Sequence, residues 1–198
     1  KSWRTIVIVV PVVLIAVLIL SATSALGDAK IKLIDDPILT DAGLVSGTTI
    51  GTADVAARVY RGIPYAAPPV GDLRWKAPEP VTPWKDIREC TQMGTYAVQF
   101  GGPFTALSQS EDCLYLNVVT PAKNAQDKLP VMVWLHGGGV AFGHGDDIAM
   151  NSYRLPSHGA VVVLVNMRLG ALGLLAHPWL TAEQGHSGNY MYEDMLAA

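Results

Sequence analysis

The sequence predicts an α/β fold built on a mixed, largely parallel central sheet, and three stretches carry that expectation. "GAVVVLVNMR" (159–168) is nearly continuous β-branched and apolar sequence, the pattern of a strand buried on both faces. "LPVMVWLHGGGVAFGHG" (129–145) reads as a second buried strand, one that stops against three consecutive glycines. Between these strands "DDIAMNSYRLPSHG" has room for a short crossover helix, the usual connection between parallel neighbours.

At the start of the chain, Lys1 and Arg4 precede the apolar run Ile6 to Leu20, which is broken only by Pro11 and followed by the small residues "SATSALG". A basic, an apolar and a small-residue segment in that order have the layout of a secretory signal cleaved after Ser24 or Gly27. Residues 6–26 are uncharged and long enough to remain instead as a membrane anchor. A buried core helix is the remaining alternative. The first two readings both export the chain: secreted or periplasmic if the leader is cleaved, membrane-anchored by residues 6–26 if it is kept. Residues 1–27 are therefore set apart from a domain at 28–198.

The formal net charge is −3, and the leader holds two of the basic residues and no acid, so the remainder is more acidic still. That balance gives no basis for a nucleic-acid partner. Two cysteines, Cys90 and Cys113, are consistent with one disulfide in an oxidising compartment but are too few for a disulfide framework.

Short β-prone runs punctuated by glycine predict a small antiparallel meander from about Ile38 to Tyr60. Pro64, Pro68, Pro69, Pro78, Pro80 and Pro83 then exclude ordinary helix or central strand, so this stretch is expected as an extended surface connection. "CLYLNVVTP" and "PVMVWLHG", separated by the polar loop "AKNAQDKL", are expected as adjacent strands. Beyond Gly188, "NYMYEDMLAA" begins a helix that stops without a cap, as if the chain were cut from something larger.

The glycine loop can serve a dinucleotide, a nucleoside phosphate or the oxyanion of an acyl transfer. A dinucleotide fingerprint starting at Gly137 and Gly139 needs a third glycine where Phe142 stands. A Walker-type loop needs Lys and Ser or Thr after its closing glycine, whereas His144 and Gly145 follow Gly143. What remains is an HGGG-type loop offering backbone N–H groups to an oxyanion, or a glycine loop that merely packs tightly. His144, Asp146 and Asp147 resemble metal ligands only superficially and are expected in a solvated loop. His136 is expected to be structural, and His158, His177 and His186 to be surface residues.

The surrounding motifs resemble the type-B carboxylesterase family, a group of cholinesterase-like α/β-hydrolases. "EDCLYLNVVTP" (111–121) matches the family's second signature without exception. "YRGIPYAAPPVGDLRW", "VVVLVNMRLGALGLL" and "SGNYMYEDMLAA" are similar to three further family segments and stand in the family's order, over about Gly43 to Ala198. The resemblance implies an α/β-hydrolase fold and the cleavage of small-molecule carboxylic esters through a Ser, Glu/Asp, His triad, with no metal or organic cofactor. It assigns the N–H groups of Gly138 and Gly139 to the oxyanion hole. A Cβ there would collide with a crowded tetrahedral carbon, so the glycines suit that role. The resemblance also pairs Arg74 with Glu111 and Arg168 with Asp194 as structural ion pairs. No G-x-S-x-G elbow occurs in the sequence, so the domain is expected to be the N-terminal part of the family's, ending before nucleophile, acid and base. The membrane would be a partner only through an uncleaved leader, and oligomeric state cannot be read. The alternatives are a non-catalytic cholinesterase-like binding or adhesion protein and an inactive truncated product.

The sequence also departs from the family pattern. In disulfide-bearing members the partner of the "EDC" cysteine aligns with Ala97, so the resemblance leaves a Cys90–Cys113 bridge open. Met167 stands where the family has Tyr, and Met191 where it has Gly. No Trp lies between Trp84 and Trp134, so a cation-π site for choline is not expected.

Export with cleavage is checked by mass spectrometry of the exported protein. A new N-terminus between Ala22 and Ala29 is expected; an intact leader in the membrane fraction would mean an anchor.

Overall fold

The apolar runs of the sequence become strands, but not in the order in which the chain presents them. The computed structural model describes residues 32–52, 55–100, 108–145 and 154–198. The leader, Asp146, Asp147 and most of the expected crossover helix lie outside the described residues. Strands β1 (Ile38–Leu39) and β2 (Leu44–Ser46) pair antiparallel, as do β3 (Thr48–Thr52) and β4 (Val55–Pro64). β5 (Arg88–Glu89) joins β2 in parallel to give a sheet of order β1-β2-β5. β6 (Tyr96–Ala97) and β7 (Gln109–Ser110) form a parallel pair of their own. β8 (Tyr115–Thr120), β9 (Val131–Leu135) and β10 (Val161–Val165) complete the main sheet, of order β3-β4-β8-β10-β9. Among the described residues the α-helices are α1 (Gly170–Leu174), α2 (Pro178–Gln184) and α3 (Tyr190–Ala197).

The expected antiparallel pairs at 38–60 form, but they are divided between two sheets rather than making one meander. The expected adjacency of the runs at 113–121 and 130–137 is corrected. β10 lies between β8 and β9, antiparallel to the first (Val162 opposite Val119) and parallel to the second (Val163 opposite Val133). The physical reason is pairing on both edges: β10 takes β9 as its parallel partner on one side and β8 on the other, so Val162, Leu164 and Val165 are buried, although the "VMVWL" of β9 is as free of polar residues. β9 is left at the edge, with Val131 and Val133 each 60% exposed, so its expected burial is not realised among the described residues.

Beyond Pro64 the proline-rich connection holds neither strand nor α-helix, only a 3-10 turn at Gly71–Leu73. Pro64 itself corrects the expectation, since it ends the interior strand β4 opposite Tyr115, where a strand terminus tolerates the missing N–H. The connection is fastened at intervals: Ala67 N–H donates to the Glu79 carbonyl (2.8 Å), and Trp84 donates through its backbone to Ala42 and through its indole to Leu44. In the β4–β8 ladder the register shifts between Tyr60 and Ile63, and the Gly62 N–H turns to the Asn117 side chain (2.8 Å). That bulge re-aims the chain and leaves no orphaned donor.

Alternation along β4 supplies two of the apolar clusters. Ala57 and Val59 face Val119, Val162 and Leu164, while Tyr60 packs with Val45 and Cys90. A further cluster joins Ala66, Ala97, Cys113, Leu114, Met167, Leu169 and Met191. The cysteines therefore sit in different clusters, and both are buried free thiols. The candidate Cys90–Cys113 disulfide is not formed. Ala97, where the family resemblance places the partner cysteine, instead shares a cluster with Cys113.

An apolar, uncharged edge such as β9 templates pairing with other chains. Residues 28–198 expressed on their own are expected to self-associate as concentration rises, and Val133→Lys to reduce this in sedimentation velocity. Equal association of the two proteins would exonerate the edge.

Candidate active site

β9 delivers the chain at His136 into the loop 137–145, which is folded too tightly for side chains at two points. Ala141 and Phe142 both donate their N–H to the Gly138 carbonyl (3.1 and 3.3 Å), and a Cβ on Gly138 would lie 1.6 Å from the Phe142 oxygen. A Cβ on Gly143 would lie 2.2 Å from His136 Nδ1 and 2.4 Å from the Gly137 oxygen. Gly139 differs: at φ +60° its Cβ position meets none of the described residues within 4 Å. Val140 follows at φ +59°, a conformation that costs a β-branched residue about 1–3 kcal/mol. A hydrogen bond from Gly170 N–H to the Val140 carbonyl (2.8 Å) holds it there.

The N–H groups of Gly138 and Gly139 have no acceptor among the described residues. Gly137, Gly138 and Gly139 form one wall of a cavity of about 170 Å³, with Phe142, Met167, Leu169 and Met191 among its other walls. Two adjacent unpaired donors on a largely apolar cavity can receive an acceptor oxygen, and hold it more strongly as that oxygen gathers negative charge.

The far limb of the loop is held by three buried carboxamides that the sequence reading did not single out. Gln99 Oε1 accepts from Gly143 N–H (2.9 Å), and its Nε2 donates to the Gly143 carbonyl and to Ala97 O (both 3.1 Å). Asn166 Oδ1 accepts from Gly145 N–H (2.7 Å), and Asn117 Nδ2 donates to the Gly145 carbonyl (2.6 Å). For the asparagines a signal existed: each is the polar residue in an otherwise apolar strand run, where a buried amide needs specific partners. Gln99 follows a pattern of no distinctive kind, and nothing in the sequence marks it.

The four residues named for ion pairs meet in two pairs. Arg74 holds Glu111 in a bidentate contact (2.5 and 2.7 Å) near the surface, which raises the guanidinium pKa further. Arg168 and Asp194 meet at 2.7 Å with side chains only 3% and 0% exposed. The Arg168 backbone N–H also donates to Asp194 (2.9 Å), its Nη1 donates to the Lys76 carbonyl (2.9 Å), and its guanidinium lies over the Tyr190 ring at 5.4 Å. Burial pushes the Asp194 carboxyl upward and Arg168 opposes that shift. This pair ties the chain leaving β10 to α3.

The half-buried His136 places Nδ1 3.0 Å from the Gly137 oxygen, and burial pushes its imidazole pKa down, so it stays neutral at neutral pH. The expectation that His144 is solvated is corrected: it is buried, edge-on to Tyr96 at 4.8 Å between centroids. It sits within the limb pinned by the carboxamides at Gly143 and Gly145, which draws it inward. His158, His177 and His186 are exposed; His177 caps α2 and His186 contacts Glu193. No group of His, Cys, Asp or Glu suited to a metal occurs among the described residues. The Cys113 thiol, driven upward in pKa by burial, has no nucleophilic character.

A mixed sheet that ends in an N–H-lined glycine loop beside a cavity defines an α/β-hydrolase core, and comparison with known proteins specifies the group. The sequence model described as the Carboxylesterase family matches residues 35–198, and the chain belongs to that family. It is 43% identical over 174 residues to the fumonisin B1 esterase of Sphingopyxis macrogoltabida, covering 83% of this chain and 31% of that protein. It is 42% identical over 147 residues to the para-nitrobenzyl esterase of Bacillus subtilis (strain 168), covering 70% and 28%. Among solved structures, a PNB esterase superposes with TM-score 0.70 at 37% identity, covering 81% of this chain and 32% of the other. The Manduca sexta juvenile hormone esterase with OTFP covalently attached superposes with TM-score 0.71 at 32% identity, covering 81% and 31%. The chain thus spans about a third of the length of the curated relatives it matches.

Removing one partner of a buried ion pair strands the other's charge. Asp194→Ala is expected to cost about 3–5 kcal/mol in urea denaturation, and the double change R168M/D194L much less. Equal losses in the two variants would show that packing, rather than charge, explains the single one.

Proposed function

We propose that the protein is a serine carboxylic-ester hydrolase working through an acyl-enzyme, and that the described residues furnish the oxyanion part of its site. The observation that carries this reading is the pair of unpartnered N–H groups at Gly138 and Gly139 on a cavity wall, in a chain of carboxylesterase family membership. In this reading a serine beyond Ala198 attacks the ester carbonyl, with a histidine and an acidic residue, also beyond Ala198, as base and orienter. The carbonyl oxygen gathers charge as the carbon becomes tetrahedral, and Gly138 and Gly139 donate to it together with the residue after the serine. The alcohol leaves first, and water then releases the acyl group.

Residues 28–198 are proposed as the N-terminal part of the domain, which by themselves hydrolyse no ester. The leader at 1–27 would export the protein, as a cleaved signal or as an anchor at residues 6–26. The substrate is a small carboxylic ester, and the chemistry needs no metal or organic cofactor.

Gly139 provides the test. Its Cβ position is clear of the described residues, so in this reading a larger side chain there would reach into the space the substrate takes. Its φ of +60° also disfavours a branched residue, which would displace the donor. In the full-length protein Gly139→Val is expected to lower kcat for a p-nitrophenyl ester by at least ~10²-fold. Wild-type turnover in that variant would remove Gly139 from the hole.

A further inference from the structure

We infer that Gln99 is a positioning residue for the reaction: its buried carboxamide sets where the Gly138 and Gly139 N–H groups point, through Gly143. This inference rests on the esterase reading proposed above. Gln99 is 5% exposed and every polar atom of its amide is used. Oε1 accepts from Gly143 N–H at 2.9 Å, and Nε2 donates to the Gly143 and Ala97 carbonyls at 3.1 Å. The side chain thus imitates one rung of a β-ladder and fixes both peptide groups flanking the Gly143 Cα. Its own backbone is held in turn, since Gln99 N–H donates to Gln109 Oε1 at 3.0 Å and Gln109 begins β7.

The grip passes to the donors by contact. Gly143 is seated so closely on His136 and the Gly137 carbonyl that even a Cβ would reach 2.2 Å from the imidazole. The Phe142 oxygen, next in the chain, presses on Gly138 as closely. A shift of Gly143 is therefore passed to the donors through its neighbours: through Gly137, and through Phe142, whose N–H also donates to the Gly138 carbonyl (3.3 Å). Donors aimed at a developing oxyanion act only when placed beforehand, and an error of about 1 Å can cost on the order of 10²-fold in rate. Gln99 is buried and neither it nor Gly143 lines the cavity, so Gln99 acts through Gly143 and not on substrate.

The experiment uses the full-length protein and two variants, Gln99→Leu and Gln99→Glu. Functional sites are counted by the stoichiometric burst of nitrophenol from a p-nitrophenyl dialkyl phosphate, and turnover of p-nitrophenyl butyrate is expressed per counted site. With Gln99→Leu, kcat per site is expected to fall about 10- to 100-fold while KM changes by less than about 3-fold, the mark of an interaction expressed in the transition state. A merely structural role would reduce the number of counted sites and leave turnover per site unchanged.

Gln99→Glu keeps the volume and serves if the leucine variant does not fold. Its introduced carboxyl, raised in pKa by burial, can donate to a carbonyl only when protonated. The ratio of variant to wild-type turnover per site should therefore fall as pH rises from about 6 to about 9. Wild-type turnover per site in Gln99→Leu, or a Gln99→Glu ratio that does not change with pH, would overturn the inference alone. A wild-type protein inert to both the phosphate and the ester would overturn the esterase reading, and the inference with it.

Discussion

A loop built of glycine has no side chains with which to anchor itself, yet its peptide groups still require partners wherever water is excluded. Around Gly143 and Gly145, both buried, that requirement falls on carboxamides from elsewhere in the chain. Gln99, Asn117 and Asn166 answer it, and the rest of the site depends on their doing so. An amide suits the task because it carries a donor and an acceptor side by side, as a neighbouring strand would, without bringing a charge into the core. A buried polar group left without its partner costs roughly 1–3 kcal/mol. The three amides therefore commit the chain to one arrangement of the loop rather than to several of similar energy.

The strand order explains how these amides converge. With β10 beside β8, Asn117 on β8 and Asn166 at the exit of β10 reach the same residue, Gly145, the first at its carbonyl and the second at its N–H. The β4 bulge contributes as well, since it turns Gly62 N–H onto the Asn117 oxygen and so fixes which amide edge faces Gly145. At the sheet's end, Arg168 follows Asn166 by two residues and is locked to Asp194 on α3 with almost no solvent exposure. Helix, strand exit and loop thus form one continuous set of polar contacts in an otherwise apolar region.

The sequence made the strands legible because periodicity and β-branching report local burial, and "VVVLV" has no second interpretation. Neighbour order was not legible, since the run that becomes edge strand β9 is as free of polar residues as the run that becomes central strand β10. The glycine loop was legible through what it lacks: a third phosphate-type glycine, or the Lys and Ser that phosphate chemistry requires. Arg74, Glu111, Arg168 and Asp194 were named through family resemblance and not through spacing, because the partners stand far apart in the chain. Gln99 was invisible for the same reason. Its partner is a backbone group 44 positions away, and a backbone partner leaves no trace in residue type.

The distribution of satisfied and unsatisfied groups along this loop is uneven, and the unevenness is informative. Gly143 and Gly145, on the returning limb, have both donor and acceptor engaged by side chains, and His144 between them is buried. On the outgoing limb, Gly138 and Gly139 keep their N–H groups without an acceptor among the described residues, and Val140 is held in a strained left-handed conformation. A loop stabilised only for its own sake would pair both limbs and relax Val140. In the esterase reading proposed above, one clamped limb and one limb with open donors suit a partner that is a ligand atom, since pairing those donors internally would have to be undone at each turnover. The strain at Val140 fits the same division: the Gly170 hydrogen bond and the clamped limb can hold a residue where its own preference would not, and the donors preceding it keep their direction.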